Sequence, residues 1–275
     1  MMKRTAVLTT THVDRHNESM TVGALEAMAQ QINEEYLPFG IAHDPREPPI
    51  GRIAHAEVRP IDDGHFELAA TIEIFEKGDH PSIFIGDRTT HVHLIGEGEF
   101  EIAPDRSHRS PEDKALIGEL AMMLKTRPIE QVKKAVEPIS LLELGGAFII
   151  GAVATGFFSR LGEDTYELFK TKLKSLFQKR RADQIEHLFV FQMTLIDGER
   201  RVSAEIILTD PADEEIDVFF GTGLRDIDTV FPKLLRDNPD AVRFVTEWKD
   251  SEIQPTYVVL KTGVPVMPRG RPRNP

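Results

Sequence analysis

The stretch ISLLELGGAFIIGAVATGFF, Ile139 to Phe158, holds twenty residues and a single charge, Glu143. An apolar run of ~20 residues is about what a helix needs to cross a bilayer. Basic residues follow it, among them Lys170, Lys172, Lys174, Lys179, Arg180 and Arg181, and these suit a cytoplasmic flank. Against a span, the run contains Gly145, Gly146, Gly151 and Gly156, and only the fifteen residues after Glu143 are uncharged. The segment therefore reads as a buried helix whose small residues let a neighbour pack closely. Membrane contact through 139–158 is the alternative.

Leu161 to Phe177 continues as an amphipathic helix with Leu161, Tyr166, Phe169, Leu173, Leu176 and Phe177 on one side. Its basic side reads as a solvated face, or as a membrane-surface face. Beyond residue 187 the period changes. Leu188 to Ile196 and Arg201 to Leu208 read as a hairpin about Asp197-Gly198. Ile216 to Phe220 reads as a strand, Ile227 to Arg236 as a helix, and Val242 to Trp248 and Tyr257 to Lys261 as two further strands. Gly221-Thr222-Gly223 is not a phosphate loop, because the Gly-Lys-Ser ending and the long following helix are missing. Trp248 is read as a core residue. Pro268 to Pro275 is a Pro/Arg tail, expected to be disordered.

Upstream of the apolar run, Asp105 to Pro111 reads as a polar linker. Pro111 stands at the favoured first position of a helix carrying Leu116, Ile117, Leu120 and Leu124, and Pro128 to Val136 as a second helical stretch. Residues 1–104 are β-rich. Lys3 to Thr10 is a first strand. Val22, Leu25, Met28, Ile32 and Tyr36 put one stripe on a helix from Thr21 that Pro38 closes. Phe39 to Ala42 is a short strand ending at His43. Asp44 to Pro49 carries three prolines and is a loop. Ile50 to Arg59 and His65 to Phe75 are strands joined by Asp62-Asp63-Gly64. Ile83 to Ile85, Thr90 to Ile95 and Glu99 to Ile102 complete the set. The expected architecture is α+β: a β-rich unit with one early helix over 1–104, a helical connector over 105–186, an α+β domain over 187–267, and the tail over 268–275.

Composition sets outer limits. With 275 residues the chain is long enough for one large or two ordinary domains. Hydrophobic residues at 40% and charged residues at 28% are those of a folded protein. A net charge of −12 argues against nucleic acid as the main partner, because phosphate binding needs a basic face. There are no cysteines, which excludes disulfides, thiolate metal sites and cysteine nucleophiles. The first residues lack an apolar signal core, so a cytoplasmic protein is expected.

The stretch VDRHNESMTVGALEAMAQQINEEYLPFGIAHDPREPPIGRIAHAEV, Val13 to Val58, resembles the opening of the phage prohead-protease family. Asp14-Arg15, the helix from Thr21, His43-Asp44 and Ile50-Gly51-Arg52 follow one another in that family's order. The resemblance covers roughly residues 5 to 103 and is strongest before residue 75. It implies a small β-barrel and a serine nucleophile. His43 falls on the family's catalytic histidine, which takes the hydroxyl proton and returns it to the leaving amine. Ser82, in HPSIFIGDR, stands in a context similar to that of the family's serine, though two residues longer. His91 and His93 share a strand face, and either could orient His43. The alternatives at each position stay open: His43 as a loop residue paired with Asp44, Ser82 as a turn residue, His91 and His93 as a half-exposed pair, and His55 and His65 as surface residues. No cofactor and no metal are expected, since His91 and His93 have no evident third ligand. Two functions follow. One is a degenerate protease-like module, phage-related or anti-phage, that binds a protein partner or assembles as a homo-oligomer. The other is an active serine peptidase acting on a peptide substrate.

Overall fold

A computed structural model describes residues 2–13, 19–40, 44–75, 89–90, 99–105, 107–108, 110–129, 139–181, 186–261 and 263–266. Contacts divide the chain into two units: residues 1–41, 47–91 and 261–265 form the first, and 42–46, 92–260 and 266–275 the second. Both mix helices with sheet, and among the described residues neither sheet closes into a barrel.

In the first unit, β1 (Met2–Thr10), β2 (Glu35–Phe39), β3 (Gly51–Pro60), β4 (Phe66–Ile74) and β5 (Thr89–Thr90) make one sheet, in the order β1-β4-β3-β2-β5. All neighbours are antiparallel except β2 and β5. Helix α1 (Val22–Glu34) buries Leu25, Ala29 and Ile32, spaced by four and three, against Ile53, Ala56, Leu68 and Ala70. The Asn33 amide latches the helix to β3, donating to the Ala56 carbonyl at 2.8 Å and accepting from the Ala56 N–H at 3.0 Å. Gly51 is dictated by close approach: a Cβ there would lie 2.3 Å from the Glu73 carbonyl oxygen. Arg52 beside it donates to the buried Glu73 carboxylate at 2.7 Å, which also meets Lys3 at 3.0 Å.

The second unit contains β6 (Phe100–Pro104), α2 (Pro111–Met123), β7 (Ile139–Ile149), α3 (Val153–Leu161), α4 (Glu163–Arg181), β8 (Glu186–Asp197), β9 (Arg200–Thr209), α5 (Asp213–Val218), a π-helical turn Phe219–Gly223, α6 (Leu224–Asp237), β10 (Ala241–Lys249) and β11 (Glu252–Leu260). With β12 (Pro265–Val266) they give a sheet ordered β12-β11-β10-β9-β8-β7-β6. The pairs β7–β8 and β9–β10 are parallel and are bridged by helices; β8–β9 and β10–β11 are hairpins. The hairpin expected about Asp197-Gly198, the helix starting at Pro111 and the buried Trp248 are all present.

Three expectations are corrected. The run 139–158 is not one helix: Ile139–Ile149 is strand β7, paired on both edges, and only Val153–Leu161 is helical. A strand buried on both faces reads as a continuous apolar run, and periodicity alone cannot separate it from a buried helix. Among the described residues no helix is long and apolar enough to cross a membrane, and residues 141–148 of the stretch proposed for membrane contact lie in an inner, mostly buried strand of the sheet. Residues 216–220 are helical rather than a strand. Ile216, Phe219, Phe220, Leu224, Ile227 and Phe231 form one buried stripe at helical spacing, visible only in a window longer than five residues. Finally, Phe100–Pro104 pairs with β7, not with the N-terminal sheet, and the expected connector 105–186 supplies β7 and three helices to the large unit. The basic side of α4 is knitted to its neighbours: Lys172 to Glu119, Lys174 to Asp217 and Arg181 to Asp213, each at 2.6 Å. The expected strand 83–85, most of the helix 128–136 and the tail lie outside the described residues.

The glycines of β7 are a packing requirement. A Cβ on Gly146 would sit 2.9 Å from the rings of both Phe100 and Phe148. Gly151, with φ +80°, makes the turn into α3 in a conformation that suits glycine. Gly146→Ala is expected to cost about 1–3 kcal/mol through overpacking. By contrast, Gly118 lies inside α2 with nothing within 4 Å of an added Cβ, so Gly118→Ala should gain about 0.5–1 kcal/mol. Urea denaturation of both variants checks this; shifts of the same sign would refute the packing account.

Candidate functional site

His43, Ser82, His91 and His93 all lie outside the described residues, as does the Asp14-Arg15 turn. The loop that follows His43 is described, and it is held firmly. Arg46 forks both ways. Its Nε and Nη2 donate to Asp44 at 2.9 and 2.6 Å, and its Nη1 and Nη2 donate to the two oxygens of Glu186 at 2.8 and 2.7 Å. Glu186 first, and Asp44 second, hold the guanidinium protonated well above its ordinary value. The Tyr257 hydroxyl donates to the Pro45 carbonyl at 3.0 Å. Residues 44–46 are thus fixed by groups from β8 and β11 through charge-assisted and neutral hydrogen bonds. His55 is exposed, as expected of a surface residue. His65 is half-buried, with Nδ1 3.1 Å from the Thr11 hydroxyl and its ring 3.9 Å from that of His12.

A serine, a histidine and an aspartate do meet in the described structure, in the segment read as a polar linker. Asp105 and His108 are buried. Ser107 Oγ donates to Asp105 Oδ1 at 2.5 Å, and His108 Nδ1 lies 3.2 Å from both that oxygen and the hydroxyl. A hydrolytic relay needs the hydroxyl on one ring nitrogen and the carboxylate on the other. Here both sit on Nδ1 and the serine proton goes straight to the carboxylate, so the imidazole cannot activate the hydroxyl. The cluster is an anchor: the Ser107 N–H donates to Asp105 Oδ1 at 2.9 Å and the Leu141 N–H to Oδ2 at 2.8 Å, which ties the loop to β7. Asp-x-Ser is a turn signature, and it is the local signal in the sequence for this anchor. Burial alone would raise the Asp105 pKa, but hydrogen bonds from His108, Ser107 and Leu141 outweigh it and hold the carboxyl below the ordinary range.

The larger candidate site is the sheet face opposite the helices. Side chains alternate, so while Phe189, Phe191, Met193 and Leu195 of β8 join the helix-side core, Leu188, Val190, Gln192 and Thr194 turn the other way. Gln192 stands opposite Glu205, and Ser203 lies between Thr194 and Arg243. Arg243 Nη2 donates to Glu205 Oε2 at 2.7 Å. Burial works against the Arg243 charge, and Glu205, the Tyr257 hydroxyl and Glu143 override it, raising its pKa above the ordinary value. Among the described residues, two buried polar atoms here have no partner: Ser203 Oγ and Arg243 Nε. The strip combines a paired charge with an unused donor and an unused hydroxyl on adjacent strands, which suits binding of a small polar group or water. Among the described residues no group of three His, Asp or Glu could hold a metal ion. No known family model, curated protein or solved structure matches the chain.

Two expectations follow. Ser203→Ala removes an unpaired buried hydroxyl and should leave stability unchanged or raise it by up to ~1 kcal/mol, whereas Glu205→Ala strands Arg243 and should cost about 3 kcal/mol. Denaturation curves decide; a large loss in Ser203→Ala would mean the hydroxyl is used. Separately, the lowered Asp105 pKa gives stability that is present above the unfolded value of ~3.9 and is lost as pH falls through the folded one. Asp105→Asn should therefore flatten the fall of melting temperature below about pH 4. Parallel curves for the variant and the native chain would contradict this.

Proposed function

We propose that this chain is a cytoplasmic, phage-related or anti-phage-defence protein whose first unit keeps a prohead-protease-like scaffold as a protein-binding and assembly module. The observation that carries this reading is the use made of Ile50-Gly51-Arg52. Gly51 is bare so that β3 can close on β4, and Arg52 is held by Glu73. The motif serves the scaffold, independently of any chemistry at His43. Recognition of a protein partner then falls to the assembled chain, alone or as a homo-oligomer. The phage or defence setting rests on the resemblance of Val13 to Val58.

The alternative is an active serine peptidase, with His43 as base, Ser82 as nucleophile and His91 or His93 orienting the imidazole. The tethering of Asp44–Arg46 favours it, because a catalytic histidine works best beside a rigid support. Incubating the full chain with a fluorophosphonate probe separates the two. The module reading expects no labelling, and Ser82→Ala and His43→Ala variants that elute from gel filtration as the native chain does. Stoichiometric labelling that disappears in Ser82→Ala overturns it in favour of the peptidase.

A further inference from the structure

The ends of α2 and α3 and the edge strand β6 line an open cavity of about 670 Å³. That is within the range of small-molecule sites, roughly 300–1,000 Å³. Its apolar walls come from Phe100, Leu124 and Leu161, all buried in the core beneath. Its polar lining includes three cations, Lys125, Arg127 and Arg160. Among the described residues none of the three is in an ion pair, unlike the cations of α4. This is not for want of carboxylates, since the chain has 45 acidic against 33 basic residues. Arg160 is held in place by its guanidinium lying over the Phe100 ring, 5.2 Å from the centroid. Such a contact leaves the N–H groups of the fork able to take an anion. Two glutamates also line the cavity, Glu99 and Glu101. The charged lining is therefore three cations against two carboxylates.

We propose that this cavity binds an organic anion with an apolar body. The carboxylate, phosphate ester or sulfonate head would pair with Arg127, Arg160 and Lys125, and the body would lie along Phe100, Leu124 and Leu161. Neither an inorganic anion nor a neutral hydrocarbon uses both halves of the site. The lining belongs wholly to the second unit, so the inference stands whether or not the first unit cuts peptides.

The test is a fluorescence titration of the full chain with 8-anilinonaphthalene-1-sulfonate, an aromatic sulfonate. Saturable one-site binding is expected, weakened at least about tenfold in Arg127→Gln/Arg160→Gln with an unchanged melting curve. Ser159→Trp, which keeps every charge but fills the cavity, should block binding too. Dodecanoate or phenyl phosphate should displace the probe, and which of them does so more strongly tells an alkyl from an aryl ligand. Inorganic phosphate and dodecanol should not displace it. Equal binding by the native chain and both variants, displacement by dodecanol as strong as by dodecanoate, or no saturable binding at all would each overturn the proposal.

Discussion

The second unit is organised around the ring of Phe157, which is fully buried. Five other rings approach it, with centroids 5.6–6.2 Å away: Phe100 from β6, Tyr166 and Phe169 from α4, Phe191 from β8 and Phe220 from the π-helical turn. Most of these contacts are edge-to-face, an arrangement worth ~0.5–1.5 kcal/mol per pair beyond burial. Bringing α3 back over the sheet to place this ring requires a tight turn after β7. It also requires space beside Phe148, which Gly146 and Gly156 provide. The start of α3 has no cap of its own. Asp228 of α6 supplies it, accepting from the Val153 and Ala154 N–H groups at 2.7 and 3.2 Å. A carboxylate at that end also meets the positive pole of the helix.

The two faces of the large sheet are built on different physics. The helix side is almost entirely apolar and aromatic. The other side mixes Leu188, Val190 and Ile207 with the Glu205–Arg243 pair and three buried neutral polar side chains, Gln192, Thr194 and Ser203. A buried ion pair contributes little net stability, but losing one partner is costly, so it imposes register more than it adds strength. The loop after His43 is secured in the same currency, through Arg46 and Glu186. The exposed ion pairs of α4 are individually worth about 0–1 kcal/mol. Their main consequence is to occupy Lys172, Lys174 and Arg181 on the side that the sequence offered as a membrane or solvent face.

Most elements are legible in the sequence wherever a short local signal exists. The stripe of α1, the Asp-Gly turns, the Pro111 helix start and the two hairpins each depend on residues within a few positions of one another. Elements whose conformation depends on what lies alongside are not legible in this way. Glu143 and the glycines of 139–158 suit a helix or a strand equally until β6 and β8 are placed on either edge. Phe219 and Phe220 look like strand residues until the stripe is followed to Phe231. The candidate chemistry at His43, Ser82, His91 and His93 is what the resemblance to the prohead-protease family implies, whereas the Asp105 anchor and the Arg243 strip come from packing.

By itself, then, the sequence determined the α+β character, the early helix on its sheet, the absence of any thiol chemistry and the acidic balance, because each is a property of composition or of neighbours along the chain. Tertiary structure alone decided that Ile139–Ile149 is a sheet interior, that β6 belongs to the large sheet, that Ser107 and Asp105 share one nitrogen of His108, and that Arg160 and Arg127 border a common cavity. The physical reason is the same in every case. Each of these residues takes its conformation and its partners from groups on other elements, and no local pattern encodes which groups those are.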